Sequence, residues 1–280
     1  MTMERLTNKV ALISGVARGQ GRSHALRLVS EGASIIGFDG LCTYDTVPYK
    51  QATQEDLDET VRLIEEAGGK VYAGRADVRE RGEIERIVRE GTAEVGPIDI
   101  VVANAGIGIN SRPFWKISQQ EWDDVIGVCL TGVWNTVSAA VPPMIEAGHG
   151  GSVIMTSSAA AIKAAPQLSA YTAAKTGVVG MMGSMASDLA PYRIRINCVA
   201  PTAVPTDFVL NDRLYQIFSP DSPEPNLEDA KKVMRAMHPL GEPWIEPRDV
   251  SAAVAYLASD EARYISGIVL PVDLGLSFSW

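Results

Sequence analysis

Short apolar runs alternate along this chain with longer segments in which apolar residues recur at helical spacing. The apolar runs predict seven strands, at residues 9–14, 34–38, 70–77, 98–103, 151–157, 194–199 and 267–272. Helical spacing predicts helices over 55–67, 83–95, 118–147 and 171–189. The near-continuous apolar run IDIVVA at 98–103 is typical of a strand buried on both faces of a parallel sheet. The pattern therefore predicts an α/β fold, a doubly wound seven-stranded parallel sheet with helices on both faces.

Two segments break this alternation. Residues 40–53 (GLCTYDTVPYKQAT) have no clean period and indicate an ordered insertion between the second strand and its helix. Long loops in compact domains are often functional, although a passive surface excursion explains this sequence equally well. Residues 201–247 are rich in proline and lack a strong period, so we predict that about 202–247 cover a substrate. An ordinary loop with short helices is the alternative for that segment.

The composition indicates one domain over residues 1–280 and argues against several kinds of partner. With 280 residues, 46% of them hydrophobic, the chain is long enough for one α/β domain with a substantial core. The formal net charge of -9 argues against nucleic acid and anionic membrane surfaces, because both attract clustered Lys and Arg. The N-terminus lacks the regions of a signal peptide, and no later apolar run approaches the length that spans a bilayer.

The cysteines and histidines add little chemistry of their own. Cys42, Cys129 and Cys198 are far apart and lack metal-ligand spacing, so we expect neither a disulfide framework nor a metal site. Reduced cysteines fit a cytoplasmic protein. His149 and His238 stand apart from the site residues below, and we expect them to face solvent or to pack.

A glycine-rich turn follows the first predicted strand. Gly15, Gly19 and Gly21 lie in this turn together with Arg18 and Gln20, before a segment of helical spacing. Missing side chains allow backbone N–H groups and the positive end of a helix to approach a pyrophosphate. Any tight strand-to-helix turn can also use glycine, so the turn alone does not decide the ligand.

The ends of the next strands favour a dinucleotide. Asp39 ends the second strand about 20 residues after the glycines, where a carboxylate accepts hydrogen bonds from ribose hydroxyls and repels a 2′-phosphate. This position favours NAD over NADP. Further small or polar residues follow the third and fourth strands, where open α/β sheets bind ligands. They are Asp77, Val78, Asn104, Ala105 and Gly106. The sequence thus predicts a single NAD-binding domain of the Rossmann type.

A hydroxyl, a phenol and an amine come together between residues 156 and 175. If YTAAK opens a helix, Tyr171 and Lys175 lie on one face, and the ammonium favours the ionised phenol. A phenol that acts as a general acid or base near neutral pH needs such a lowered pKa. Ser158, after the strand at 151–157, is placed to hold a substrate oxygen. In isolation this pentapeptide also fits a surface Tyr and Lys on one helix.

These motifs together resemble the short-chain dehydrogenase/reductase family, from about Lys9 to Gly275. They are SGVARGQG after the first strand, NAG after the fourth, Ser158 with YTAAK, and PTAVPT after the sixth. The resemblance implies that Tyr171 is the general acid/base, that Lys175 lowers its pKa and holds the nicotinamide ribose, and that Ser158 orients the substrate. It also implies cofactor contacts from Pro201, Val204 and Thr206, the last with the carboxamide, and a homotetramer built on the helix that begins at Tyr171 and on the last strand.

A narrower resemblance covers residues 39–71 and 237–275. Both segments are similar to the carveol dehydrogenases and mycofactocin-coupled dehydrogenases, which carry an insertion after the second strand. This resemblance implies a tightly held nicotinamide cofactor and an external redox carrier. The chain departs from the family at two positions: Cys129 stands where an asparagine usually orders a water chain to the lysine, and Thr202 stands where many members have glycine.

The sequence therefore predicts an NAD-dependent oxidoreductase that interconverts a hydrophobic secondary alcohol and its ketone. The expected substrate is terpene-like, alicyclic or aryl, with Tyr171 exchanging the proton. Two alternatives remain. An NAD-binding sensor or scaffold with weakened catalysis would explain Cys129, and a 3-oxoacyl thioester reductase would prefer NADP and need a basic surface, which Asp39 and the acidic composition oppose.

Overall fold

A computed structural model shows one parallel sheet in the order β3-β2-β1-β4-β5-β6-β7. The structure describes residues 4–108, 112–218, 224 and 226–278, without the side chains of 213, 214 and 216. Its strands are β1 (Val10–Ser14), β2 (Ser34–Asp39), β3 (Val71–Arg75), β4 (Ile100–Ala103), β5 (Gly151–Thr156), β6 (Ile194–Pro201) and β7 (Val269–Val272). Every neighbouring pair is parallel, which confirms the predicted sheet.

The helices join successive strands, and the four predicted helical regions begin and end within two residues of their predicted bounds. The helices are α1 (Gly19–Ser30), α2 (Gln54–Glu66), α3 (Arg81–Val95), α4 (Gln119–Ile126), α5 (Gly132–Ala147), α6 (Ser169–Leu189), α7 (Asp212–Phe218), α8 (Leu227–Met237) and α9 (Pro247–Ala258). Capping boxes begin α2 at Thr53 and α4 at Ser118, where each side chain accepts the N–H of the third helical residue.

The first strand shows how one sheet forms two cores. Successive side chains of a strand point to opposite faces. Val10 and Leu12 accordingly pack with residues of α3, α5 and α6, whereas Ala11 and Ile13 pack with residues of α1, α2 and α9. The helices thus cover both faces, as the near-continuous apolar strands predicted.

The long helical region predicted at 118–147 is interrupted. A π-helical turn at Gly127–Thr131 separates α4 from α5 and carries Cys129 toward the end of β4. Such turns frequently occur at functional sites. Contrary to our expectation for apolar runs, the stretch Gln119–Ala147 is long and apolar enough to cross a membrane, with a mean hydropathy of 1.5. Just over half of that window is buried against the sheet and neighbouring helices, as in a core helix.

The segment predicted to cover a substrate is more regular than its sequence suggests. It contains α7 and α8, and α8 buries Ala230 and Met234. Asn226 begins α8 by accepting hydrogen bonds from the N–H groups of Glu228 and Asp229. Residues 219–223 and 225 of the segment lie outside the described residues. His149, after α5, is exposed as expected.

Candidate active site

One cavity of about 660 Å³ opens at the carboxyl ends of the strands. This is a usual volume for a small-molecule site. The cavity brings together all the residues predicted to bind cofactor or to react. They are Gly15, Arg18, Gly19, Gln20, Gly21, Asp39, Asp77, Val78, Asn104, Ala105, Gly106, Ser158, Tyr171, Lys175, Pro201, Val204 and Thr206. Cys129 lies behind the wall of the cavity and is fully buried.

The glycine turn is shaped for close approach of an anion. A Cβ on Gly21 would lie 1.9 Å from the carbonyl oxygen of Gly15, and a Cβ on Gly15 would lie 2.9 Å from the Cα of Ala105. Glycine is therefore required at both positions. No side chain caps the N-terminus of α1, and no acidic residue lies in its first turn. Its free N–H groups fit a pyrophosphate, so the residues present fit a dinucleotide.

Asp39 faces the cavity from the end of β2. Its carboxylate accepts the N–H of Ala17 at 3.1 Å and that of Leu41 at 3.4 Å. Burial raises the pKa of the Asp39 carboxyl, while these two hydrogen bonds and the charge of Arg18 act in the opposite direction. The hydrogen bonds fix the carboxylate at the place where a ribose is expected.

Ser158, Tyr171 and Lys175 converge at the other end of the cavity. Tyr171 and Lys175 lie in the first two turns of α6, and the Lys175 Nζ is 5.7 Å from the centre of the Tyr171 ring. This ammonium is buried and donates to the carbonyl oxygen of Thr156 at 2.8 Å. The Ser158 side chain lies close enough to the phenol of Tyr171 to lower its pKa. Two hydroxyls placed in this way can share an oxygen of a third molecule.

The pKa of Tyr171 does not move in the expected direction. Burial raises it above the ordinary value, and the nearby Cys129 thiol and Tyr49 phenol act in the same direction. The Ser158 hydrogen bond lowers it, but by less than burial raises it. Burial also lowers the pKa of Lys175, which weakens this lysine as a source of positive charge. The nearby Lys175 therefore does not by itself lower the pKa of Tyr171 as the sequence suggested, because burial outweighs it.

Cys129 is held by the backbone that follows β4. Its Sγ donates to the carbonyl oxygen of Ile107 at 3.3 Å and accepts the N–H of Ile107 at the same distance. The π-helical turn presents the thiol to this loop. Burial raises the pKa of the Cys129 thiol, so it stays protonated near neutral pH. These contacts favour a packing and bridging role over a weakened water relay.

Substitution of Cys129 distinguishes these two roles. We expect Cys129→Ala to lower the free energy of unfolding by about 1–3 kcal/mol, because it leaves both backbone groups of Ile107 unpaired. Cys129→Asn keeps a donor and an acceptor and should leave the solvent isotope effect on turnover unchanged. Denaturant unfolding and rates in H₂O and D₂O measure these effects. A smaller isotope effect in Cys129→Asn, with a shifted pH profile, would instead show that the thiol limits a proton relay.

The insertion at 40–53 is tied down beside the end of β3. The Cys42 thiol donates to Asp77 at 3.4 Å, and the Thr46 hydroxyl donates to Asp124 at 2.7 Å. Asp77 is also bound by Arg79, whose guanidinium lies 4.7 Å from the centre of the Tyr44 ring. A passive excursion would not need these contacts. This half of the insertion thus lies beside Asp77, one of the residues predicted to bind the cofactor.

The second half of the insertion reaches the end of the cavity that contains Tyr171, which the sequence did not predict. The Tyr49 hydroxyl accepts the N–H of Gly108 at 3.0 Å, and its ring lies 5.7 Å from that of Phe208. Phe208 lies 5.7 Å from the ring of Tyr171. Arg18 donates to the carbonyl oxygen of Lys50 and pairs with Asp207 at 2.6 Å. The insertion and the covering segment thus meet over the cavity.

His238 packs, which is one of the two roles expected for it, but the sequence did not indicate that it lies at the site. It lines the same cavity, is only 4% exposed, and is bound at both ring nitrogens. Its Nε2 lies 2.8 Å from the Thr202 hydroxyl, and its Nδ1 lies 2.8 Å from the carbonyl oxygen of Glu242. Thr202 also lines the cavity. Only the threonine was marked by the sequence, as a departure after Pro201.

Comparison with known proteins identifies the family. A family model described as enoyl-(acyl carrier protein) reductase matches residues 15–277. A short-chain type dehydrogenase/reductase of Mycolicibacterium smegmatis is 47% identical over 97% of this chain and 98% of its own length. The chain belongs to the short-chain dehydrogenase/reductase family.

Within the short-chain dehydrogenase/reductase family, the chain is similar to carveol dehydrogenases. The (-)-trans-carveol dehydrogenase of Rhodococcus erythropolis is 44% identical over 98% of this chain and 99% of its own length. The crystal structure of carveol dehydrogenase from Mycobacterium avium, in complex with NAD, has a TM-score of 0.96 and 44% identity, covering 98% of this chain and 99% of that one. The predicted family and its Rossmann-type fold are confirmed.

Proposed function

We propose that this NAD-dependent oxidoreductase interconverts a hydrophobic secondary alcohol, terpene-like, alicyclic or aryl, and its ketone. The observation that carries the proposal is the convergence of Ser158, Tyr171 and Lys175 in the cavity that also contains the glycine turn and Asp39. Asp39 favours NAD, and the solved carveol dehydrogenase of Mycobacterium avium is an NAD complex. The carveol dehydrogenase of Rhodococcus erythropolis is named for oxidation of a terpene alcohol.

The walls beyond the catalytic residues support an apolar substrate. Side chains from the loop after β5, from the covering segment and from the C-terminus surround this part of the cavity. They include Ala165, Leu168, Phe208, Leu210, Phe218, Met234, Met237 and Leu276. Methionines and aromatic rings bind apolar ligands of varied shape. The only histidine among the described lining residues is His238, and its ring nitrogens are bound within the protein.

In the proposed reaction the proton is exchanged at the Tyr171 oxygen. During oxidation the phenolate of Tyr171 takes the hydroxyl proton of the alcohol, and during reduction the phenol returns it. The Ser158 hydroxyl holds the same substrate oxygen, since it lines the same cavity close to the phenol. Lys175, fixed by the carbonyl of Thr156, lies close enough to stabilise the phenolate. When bound, NAD would accept the hydride during alcohol oxidation, and NADH would donate it during ketone reduction.

A panel of secondary alcohols tests the proposal. Purified protein is incubated with terpene, alicyclic and aryl alcohols, a redox dye as electron acceptor, and NAD, and the ketone is measured by gas chromatography. We expect turnover of at least one hydrophobic alcohol. Binding of NAD without any ketone would favour the sensor or scaffold. Turnover of a 3-oxoacyl thioester with NADPH, but of no alcohol, would favour the 3-oxoacyl thioester reductase.

We also propose that the insertion retains the cofactor. It contacts the end of β3 through Cys42 and the catalytic end through Tyr49, so a dinucleotide that spans the cavity would lie beneath it. Arg18 holds the insertion to Asp207 of the covering segment. Release of the nucleotide would require these contacts to open. A retained cofactor would be reoxidised by an external carrier, which the mycofactocin-coupled dehydrogenases use.

Retention predicts that protein purified without added nucleotide contains NAD or NADH, detected by mass spectrometry after denaturation. We expect Tyr49→Ala to accelerate nucleotide release about 10-fold, because it removes an aromatic pair and a hydrogen bond to the backbone. Lys50→Ala is the matched control, since Arg18 binds the backbone carbonyl of Lys50. Release within milliseconds from the unaltered protein would show that the insertion is passive.

A homotetramer in the cytoplasm completes the proposal. Trp122 and Trp134, on α4 and α5, expose about two fifths of their surfaces, and Tyr264 and Phe278 near β7 expose most of theirs. Exposed aromatic residues of this size are typical of contact surfaces. Sedimentation of the purified protein tests the assembly.

A further inference from the structure

Thr202 and His238 occupy the part of the cavity that lies beyond the reacting residues. Asp39 ends β2, Ser158 follows β5, and Thr202 follows β6 at the next position of the sheet. Four strand spacings, about 19 Å, separate the ends of β2 and β6. His238 directly follows α8, whose Met234 and Met237 line the apolar wall. This pair therefore lies at the end of the cavity far from Asp39, beside the apolar wall.

The hydrogen bonds of His238 determine which atoms carry hydrogen. The carbonyl oxygen of Glu242 can only accept, so the Nδ1 of His238, 2.8 Å away, carries the hydrogen. In the neutral ring the Nε2 is then an acceptor. The hydroxyl of Thr202, 2.8 Å from Nε2, must therefore donate to it. The only hydrogen of the Thr202 hydroxyl therefore points toward His238 and away from the ligand. Toward the ligand, the Thr202 oxygen can only accept a hydrogen bond.

His238 is held firmly in this arrangement. It is 4% exposed, and its backbone N–H donates to the carbonyl of Met234 at 3.2 Å. Its carbonyl accepts the N–H of Gly241 at 2.8 Å. Thr202 is fixed in turn by its N–H, which donates to the carbonyl of Val272 at 3.1 Å. Neither side chain can reorient without loss of a buried hydrogen bond.

The geometry points to Thr202 as a specificity-determining residue and to His238 as the positioning residue that makes its hydroxyl an obligate acceptor. The ligand class is a secondary alcohol that carries a second hydroxyl, such as an alicyclic diol. Its second O–H donates to the Thr202 oxygen, while an ether or a carbonyl at that place finds no donor. This inference rests on the proposed alcohol dehydrogenase function and narrows its substrate.

A diol and its monomethyl ether form a matched pair of substrates, since both keep two oxygens and only the diol keeps the second donor. We expect the unaltered protein to favour the diol in kcat/KM by about 3- to 10-fold, the range of one neutral hydrogen bond. Thr202→Ser should retain this preference. Thr202→Val, which keeps the shape and lacks the hydroxyl, should reduce it to below about twofold.

Variants of His238 test the positioning role. His238→Phe frees the Thr202 hydroxyl to donate a hydrogen bond to the ether oxygen, so kcat/KM for the ether should increase. The preference for the diol should then fall as it does in Thr202→Val. His238→Gln, whose amide offers both a donor and an acceptor, should restore much of the preference. A residue that merely packs would change both substrates equally. An unchanged preference in Thr202→Val would overturn the inference, as would a loss of NAD affinity with the preference intact.

The test remains decisive if the proposed function fails. If the unaltered protein oxidises no secondary alcohol, calorimetric binding of the diol and the ether to the nucleotide-loaded protein replaces the rate comparison. The same preference is expected in affinity, and its absence would overturn the specificity role. Failure of turnover with a retained binding preference would therefore refute the dehydrogenase and leave the Thr202–His238 pair standing.

Discussion

Tyr171→Phe is expected to reduce turnover by about 10²- to 10⁴-fold, the range attributed to a general acid or base. The phenyl ring keeps the contact with Phe208, whose ring centre lies 5.7 Å away, so the pocket should remain packed. The substitution removes the Tyr171 hydroxyl, which is the group that exchanges the proton. Steady-state rates with a hydrophobic alcohol, together with the affinity for NAD, measure the effect.

The pH dependence of the unaltered protein provides a second measurement on the same residue. Burial raises the pKa of Tyr171, so the phenolate required for oxidation is scarce near neutral pH. The rate of alcohol oxidation should therefore increase with pH, and ketone reduction, which uses the phenol, should not. Ser158→Ala serves as a comparison, since it removes the bond that lowers this pKa. If Tyr171→Phe retained more than about a tenth of the original rate, Tyr171 could not be the general acid or base.

Asp39→Asn is expected to reduce the preference for NAD over NADP by about 10²-fold or more, because a like-charge contact of this kind costs several kcal/mol. The carboxylate has fixed hydrogen bonds from Ala17 and Leu41, so its charge cannot turn away from a 2′-phosphate. Asparagine keeps an oxygen for the shorter bond, from Ala17 at 3.1 Å. Competition between NAD and NADP, read as the ratio of their dissociation constants, measures the change.

Asp39→Ala is the companion variant, because it removes both the charge and the hydrogen bonds. We expect the same change of preference with weaker binding of both nucleotides, since the N–H of Ala17 loses its acceptor. Arg18 lies near Asp39 and acts on its pKa, and Arg18 also holds Lys50 and Asp207. If both Asp39 variants retained the original ratio, another residue would have to recognise the 2′ position.

Local sequence patterns predicted the fold and the group of cavity residues that were expected to bind cofactor or to react. Apolar runs such as 98–103 identify strands because parallel strands are buried on both faces. Since all strand ends of a parallel sheet meet at one edge, Gly15, Asp39, Asn104 and Ser158 could be placed together before their distances were known. The same reasoning could not find the π-helical turn at Gly127–Thr131, because a single added residue in a helical turn barely changes the apolar spacing.

Only the tertiary structure decided the contacts between segments that lie far apart in the sequence. The pKa of Tyr171 depends on how deeply it is buried, and this outweighs the nearby Lys175 that the YTAAK motif reveals. Tyr49 meets Gly108, and His238 meets Thr202, across 59 and 36 residues of chain. Neither contact has a period or a spacing that a sequence pattern could reveal. The sequence alone thus predicted the sheet and the meeting of the candidate cofactor-binding and catalytic residues at one edge of it, whereas packing decided their electrostatics and the shape of the rest of the cavity.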